Sequence, residues 1–306
     1  MNVFNEHRHK GVGVHINDYL THLAALKYSP KSIDSYKHGL VRFVAFLEEQ
    51  NITRPQDVTL DHLAAFRLEL TDKGRSVHTI GLYLRSVRKL FAFLEETGQV
   101  FINPAHGLVL PKSRAHIRPV PTEDDMNALL SAPDTSAPRG IRDRALLETF
   151  YSTGVRLEEL VNMNISDLDI KQGRVKVTGK GNKQRVVPMG RQAVSWTDKY
   201  LKDVRPGLVK NRPDEHALWI GMKGRKINPQ TIERLVKAYG QQAGLSCPIT
   251  PHALRRACAT HMLANGAHPV QIQLLLGHAT MSALSHYLKI TVTDMKNMHR
   301  KAKPGK

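Results

Sequence analysis

The stretch RVKVTGKGNKQRVVPM, residues 174–189, decides what kind of chain this is. Two Val-rich runs, Arg174–Thr178 and Gln184–Met189, flank Gly179-Lys180-Gly181-Asn182. β-Branched runs bracketing a Gly/Asn turn predict an antiparallel hairpin. Leu218-Trp219-Ile220 is a candidate for a further short strand beside it. Around the hairpin the periodicity is helical. Thr122 followed by Asp125 marks a helix start, and Ile141–Tyr151 is a second helical stretch. Further helices are predicted at 191–204, 229–243, 251–264 and 269–276, before a polar tail at 291–306. This half of the chain therefore reads as mainly α with a small antiparallel β-sheet.

The first hundred residues read as all-helical. Ile16, Tyr19, Leu20 and Leu23 recur at helical spacing. Ser29-Pro30 supplies an N-cap and an N1 proline for a stripe of Ile33, Tyr36, Leu40, Phe43 and Leu47. Thr59 caps a third helix carrying Leu63, Phe66 and Leu70. Ser76 opens a fourth, with Ile80, Tyr83, Leu84, Val87, Leu90, Phe91 and Leu94 inward and Gly98 placed to stop it. Four such helices make a small bundle. Between Asn103-Pro104 and Pro119-Val120-Pro121 helical periodicity is lost, and prolines sit among Lys112, Arg114 and Arg118. The expected organisation is thus a helical domain at 10–102, a linker at 103–121 and a second domain at 122–306. No internal repeat or low-complexity tract interrupts it.

Composition bounds the function. A chain of 306 residues, 41% hydrophobic, is long enough for two cores. No apolar run approaches the roughly 18 residues of a membrane span, and the polar start MNVFNEHRHKG does not read as a signal peptide. The two cysteines, Cys247 and Cys258, cannot build a disulfide framework, so a cytoplasmic location without a membrane partner is expected. The net charge is +18. Residues 1–100 hold 13 basic and 11 acidic side chains, whereas residues 101–306 hold 32 and 16. So lopsided a surplus favours a polyanion, nucleic acid ahead of an anionic membrane, although a soluble protein with solvated lysines stands as the alternative until motifs are weighed. On the fourth helix His78, Arg85, Arg88 and Lys89 lie opposite the apolar stripe, which fits either a solvated face or a helix laid along phosphates.

Several enzyme signatures are missing. Gly179-Lys180-Gly181 is not a nucleotide P-loop, and there is no H-E-x-x-H or zinc-spaced Cys/His set despite 16 histidines. Residues 251–306 contain a single acidic residue, Asp294, so no carboxylate cluster suggests a two-metal nuclease there. Phosphodiester chemistry in this chain would then run without metal or cofactor, on positive side chains. A set of these is present. Thr250-Pro251 starts a helix whose first turn carries His252 and Arg255 on one face, with the positive end of the helix dipole behind them. Leu276-Gly277-His278 ends the next helix, and Tyr287 follows nine residues later. Upstream, Thr153-Gly154-Val155-Arg156 leads into Leu157-Glu158-Glu159-Leu160, and Lys180 sits in the hairpin turn.

The ordered set T-G-x-R-x-x-E-L (153–160), G-K-G-x-K-x-R-x-x-P (179–188), H-x-L-R-x-x-x-A-T-H (252–261) and L-L-G-H (275–278) followed by Tyr287 resembles the tyrosine recombinase (phage integrase) family, on its Xer-like side. Four modest motifs in order are specific together. The resemblance implies an N-terminal four-helix, SAM-like core-binding domain and a C-terminal catalytic domain. It implies that Arg156 and Arg255 clamp the nonbridging oxygens of a scissile phosphate, with Lys180 as general acid for the 5′ oxygen. His252 would handle the tyrosine proton, His278 would bond a nonbridging oxygen, and Tyr287 would attack phosphorus. Glu159 matches the family's acidic support position. Double-stranded DNA recombination sites and a homotetramer on DNA, or an assembly with a related recombinase partner, are the implied company, with the C-terminal segment Thr291–Lys303 exchanged between neighbours. Each residue has a rival reading. Arg156 can simply pair with Glu159, Lys183 competes with Lys180, and Tyr151, Tyr200 and Tyr239 compete with Tyr287. His261 is read as a packed histidine. Arg256 and Lys289 depart from histidines common in relatives. A noncatalytic DNA-binding protein of this fold, or a type IB topoisomerase-like enzyme, is the alternative.

Overall fold

A computed structural model describes residues 11–111, 119–212, 214–245 and 247–277, with backbone alone at Lys180. The chain divides into two units, residues 1–117 and 118–306.

The first unit is a helical bundle of α1 (Val12–Ala25), α2 (Pro30–Glu49), α3 (Leu60–Asp72) and α4 (Val77–Glu96). Local chemistry sets the helix starts: the side chains of Ser29, Thr59 and Ser76 accept the backbone N–H groups of Ser32, His62 and Thr79. α4 ends two residues before Gly98, whose φ of +70° turns the chain away. The apolar stripes meet in a core where Phe43 packs edge-on against Phe66 and Phe91, with ring centroids 5.1 and 6.2 Å apart. Beyond α4, Asn103 caps a short 3-10 turn, Pro104–Gly107, and Ala105 and Leu108 are buried in the bundle core. The folded unit therefore runs past residue 102, where helical periodicity stops. A 3-10 turn buries two apolar residues without leaving any helical pattern to read.

The second unit opens with α5 (Glu123–Ser131), where Thr122 and Asp125 form a reciprocal capping box. α6 (Pro138–Thr153) begins before the apolar periodicity does, because Pro138 is preorganised for the first turn. It is buried on most of its circumference, with Ala145, Leu146, Leu147, Thr149 and Thr153 fully enclosed. α7 (Leu157–Val161) follows at once. The sheet has three antiparallel strands in the order β1 (Leu168–Asp169), β2 (Arg174–Thr178) and β3 (Gln184–Pro188). Thr178 pairs with Gln184 and Val175 with Val187, so Val175, Val177 and Val187 face the core. The hairpin is as predicted, but its third strand is not Leu218-Trp219-Ile220. The backbone of that segment is engaged elsewhere: Leu218 N–H donates to Met163 O, Ile220 N–H to the Tyr200 hydroxyl, and Trp219 O accepts from Ile227 N–H.

The single helix expected at 191–204 is instead α8 (Arg191–Lys199), a π-helical turn Tyr200–Val204 and α9 (Arg205–Leu208). Pro206 has no N–H for the carbonyl four residues back, and the helix widens just before it. α10 (Pro229–Gln242), α11 (Pro251–Ala264) and α12 (Pro269–Leu276) fall within a residue of their predicted bounds, each with proline in its first turn. Mainly helical structure with one small antiparallel sheet is the architecture of the chain. Among the described residues no helix is long and apolar enough to cross a membrane.

Candidate active site

Thr250 caps α11 by accepting the N–H of Ala253 at 3.2 Å, which sets His252 and Arg255 in the first turn. His252 is exposed; Arg255 is 5% exposed. The Arg255 guanidinium donates from Nη1 to Gly154 O at 2.6 Å and from Nη2 to Leu276 O at 2.7 Å. It therefore ties the end of α6 to the end of α12. Gly154 ends α6 in the left-handed region, φ +56°. A Cβ there would stand 2.9 Å from both Cys258 Sγ and Leu276 Cδ2, so backbone and space both demand glycine.

Two residues on, Arg156 is the N-cap of α7. Its backbone N–H donates to Glu159 Oε2 at 2.8 Å, its Nη1 to Glu159 Oε1 at 2.9 Å and its Nη2 to Gly277 O at 3.1 Å. Glu159 is buried and takes a second arginine: Arg185 on β3 donates from Nη1 and Nη2 to its two oxygens at 2.9 and 2.8 Å. Burial alone would raise this carboxyl. The hydrogen bonds from Arg185 and from the Arg156 backbone and side chain, with the charge of Arg185, outweigh it and hold the group at about 2. The pairing of Arg156 with Glu159 is thus real, yet it leaves the Arg156 side chain 45% exposed.

Arg156, His252 and Arg255 line one open cleft of about 390 Å³, together with Val155, Leu157, Glu233, Thr250 and Pro251. The hairpin turn lies next to this cluster: a Cβ on Gly179 would be 3.1 Å from Glu159 Oε1, and Lys180 opens the turn. His278, Tyr287 and the segment Thr291–Lys303 lie outside the described residues. Among the described residues no three His, Cys, Asp or Glu side chains gather as metal ligands. The arrangement is a concave surface with two guanidinium groups and a helix N-terminus, suited to a tetrahedral oxyanion such as phosphate.

Among the described residues, the rival candidates His261, Tyr151, Tyr200 and Tyr239 are engaged in packing. His261 Nε2 lies 3.0 Å from Pro121 O, which can only accept, so Nδ1 accepts the Tyr151 hydroxyl at 2.7 Å. Burial lowers the His261 pKa and pushes the Tyr151 hydroxyl up to about 12. Tyr200 is fully buried, stacked on Trp219 and donating to Leu218 O at 3.1 Å. Tyr239 donates to Asp143 Oδ2 at 2.9 Å. Burial pushes both hydroxyls to about 12, for Tyr239 with help from the Asp143 charge.

Arg85, Arg88 and Lys89 are exposed on α4 in the first unit. The Lys89 ammonium stands 5.6 and 5.5 Å from the ring centres of Tyr28 and Tyr36, so it is steered by aromatic faces rather than freely solvated. The residue whose part sequence reasoning missed is Arg185. It stands inside a quoted motif, but its partners lie 26 and 90 positions away and cannot be read from spacing.

A helical bundle is followed by a helix-and-hairpin domain with an arginine-lined cleft. Residues 120–293 match the phage integrase family and residues 16–98 match the phage integrase N-terminal SAM-like domain; the chain belongs to the phage integrase family. It is 32% identical over 291 residues to tyrosine recombinase XerD of Listeria innocua, covering 94% of this chain and 98% of that protein. To tyrosine recombinase XerD of Pseudomonas putida it is 35% identical over 273 residues, covering 88% and 90%. Among solved structures, a lambda integrase dimer bound to a COC' core site aligns with a TM-score of 0.75 at 20% identity, over 90% of this chain and 95% of that one. XerH site-specific recombinase bound to palindromic difH substrate, in a post-cleavage complex, gives 0.75 at 20% identity over 89% and 79%. The last two likenesses are likenesses of fold.

Proposed function

We propose that this chain is a site-specific DNA recombinase that cuts and rejoins DNA strands through a 3′-phosphotyrosine intermediate. The observation that carries the reading is the single cleft in which Arg156, Arg255 and His252 meet, in a chain whose relatives are tyrosine recombinases. Arg156 and Arg255 hold the nonbridging oxygens of the scissile phosphate and stabilise the charge that develops there. The Tyr287 oxygen attacks phosphorus as the bond to the 5′ oxygen breaks, and Lys180 gives that oxygen its proton. His252 takes up the tyrosine proton and His278 donates to a nonbridging oxygen. The bond energy is kept in the phosphotyrosine, so a 5′-hydroxyl can reverse the step and reseal a strand. Supporting the choice of Tyr287 is the engagement of the Tyr151, Tyr200 and Tyr239 hydroxyls in packing hydrogen bonds.

The first unit, residues 16–98 of which match the SAM-like domain, is the second half of the DNA grip, with Arg85, Arg88 and Lys89 facing phosphates. Double-stranded recombination sites are the substrate, and a homotetramer bridging two sites is the working assembly. Lambda integrase has been solved as a tetramer bound to a Holliday junction. The test is incubation with a library of duplexes carrying candidate sites in the presence of a chelator. A covalent protein–DNA product is expected, and a reaction that proceeds only with added divalent metal would overturn the reading.

A further inference from the structure

Three arginines converge on one helix end. The Leu275 carbonyl accepts from Arg185 Nε at 2.8 Å, that of Leu276 from Arg255 Nη2 at 2.7 Å and that of Gly277 from Arg156 Nη2 at 3.1 Å. The last carbonyls of a helix have no partner within it and carry the negative end of its dipole. Here three successive ones are each met by a guanidinium. Two of these belong to the phosphate clamp proposed above. The third, Arg185, does not line the cleft, and its side chain is only 17% exposed.

Arg185 uses all three nitrogens in different directions: Nε on Leu275 O, Nη1 and Nη2 on the two oxygens of Glu159. Glu159 in turn holds the backbone and Nη1 of Arg156. The molecule is fitted around this guanidinium. Gly277 sits at φ +63°, and a Cβ there would fall 3.0 Å from Arg185 Cζ and Nη1. A lysine cannot reproduce such a fork.

We propose that Arg185 is a positioning residue for strand cleavage: through Glu159 it fixes the Arg156 guanidinium, and through Leu275 it fixes the point at which the chain leaves α12 toward His278. The inference rests on the reading of the cleft as a DNA-cleaving site. It makes the geometry of the clamp and the seating of the last turn of α12 one event, since the same three arginines hold both.

The experiment measures single-turnover cleavage of a nicked duplex, and separately DNA binding, for wild type, Arg185→Gln, Arg185→Lys, Glu159→Gln and the double variant Arg185→Gln/Glu159→Gln. Cleavage by either Arg185 variant is expected to slow by about 10- to 100-fold, as misplacement of a catalytic group does. Binding should hold within about threefold, because Arg185 is not spent on DNA phosphates. The double variant should be no slower than the slower single one, since both residues act through Arg156. Should Arg185→Gln fail to fold, Arg185→Lys carries the test alone. Cleavage by Arg185→Lys at the wild-type rate would overturn the proposal, as would equal losses in binding and cleavage or multiplicative losses in the double variant. A wild type that forms no adduct would instead overturn the reading of the cleft itself.

Discussion

Arg255 donates to the carbonyl of Gly154 at 2.6 Å across 101 positions of sequence, and the same guanidinium reaches Leu276 O. The proposed phosphate ligand is therefore also a structural rivet. Arg255→Ala leaves two buried carbonyls without their charged donor, which costs on the order of 2–5 kcal/mol. Chemical denaturation should show that loss, and strand cleavage should be abolished in the fraction that remains folded.

Gly154→Ala is expected to destabilise by about 2–5 kcal/mol, from left-handed backbone strain together with overpacking. Its new methyl would press on Cys258 Sγ and Leu276 Cδ2, the side chains that pack where Arg255 is anchored. The midpoint of urea unfolding reads this directly, and a wild-type midpoint would contradict it.

Glu159 makes a prediction about acid. Its carboxyl is held at about 2 in the folded chain, against an ordinary 4.5. Above the ordinary value the group is charged in both folded and unfolded chains, and its full stabilising contribution is present. As pH falls from there toward 2 the unfolded chain takes up a proton that the folded chain refuses, so stability is lost. The loss should total about 3 kcal/mol, and Glu159→Gln should lack it. Unfolding free energies of the two proteins measured across this acid range check the sign.

The cysteines should part company under alkylation. Burial pushes the Cys258 thiol up to about 12, whereas Cys247 is only half-buried. Iodoacetamide at neutral pH should label Cys247 in the native protein and reach Cys258 only after unfolding, as read by peptide mass spectrometry.

On α4, Arg85→Ala and Arg88→Ala should weaken DNA binding evenly across sequences. Each should reduce the slope of log affinity against log salt by about 1. A change in sequence preference with an unchanged slope would show that these side chains read bases instead.

Much of this molecule was legible because its signals are local. Ser29-Pro30, Ser76 and Thr250-Pro251 announce helix starts within one turn of themselves, and the helices begin there. The hairpin was legible because β-branched runs flank a Gly/Asn turn. β1 was not, since a two-residue strand carries no period and is defined only by pairing with Arg174 and Val175. Leu218-Trp219-Ile220 misled because a short apolar run says buried without saying what its backbone bonds to. Arg156, His252 and Arg255 could be nominated from motif order, and they do share a cleft. The place of Arg185 could not, because its meaning depends on carbonyls that only the folded chain brings to it.

The most direct measurement of the central claim is the identity of the residue joined to DNA. A suicide duplex bearing the protein's own site, nicked so that the released fragment diffuses away, traps the covalent intermediate. Proteolysis and mass spectrometry then locate the attachment. A 3′-phosphate ester on Tyr287, absent in Tyr287→Phe, is the predicted result. Attachment at another residue, or an undiminished adduct in Tyr287→Phe, would contradict the account.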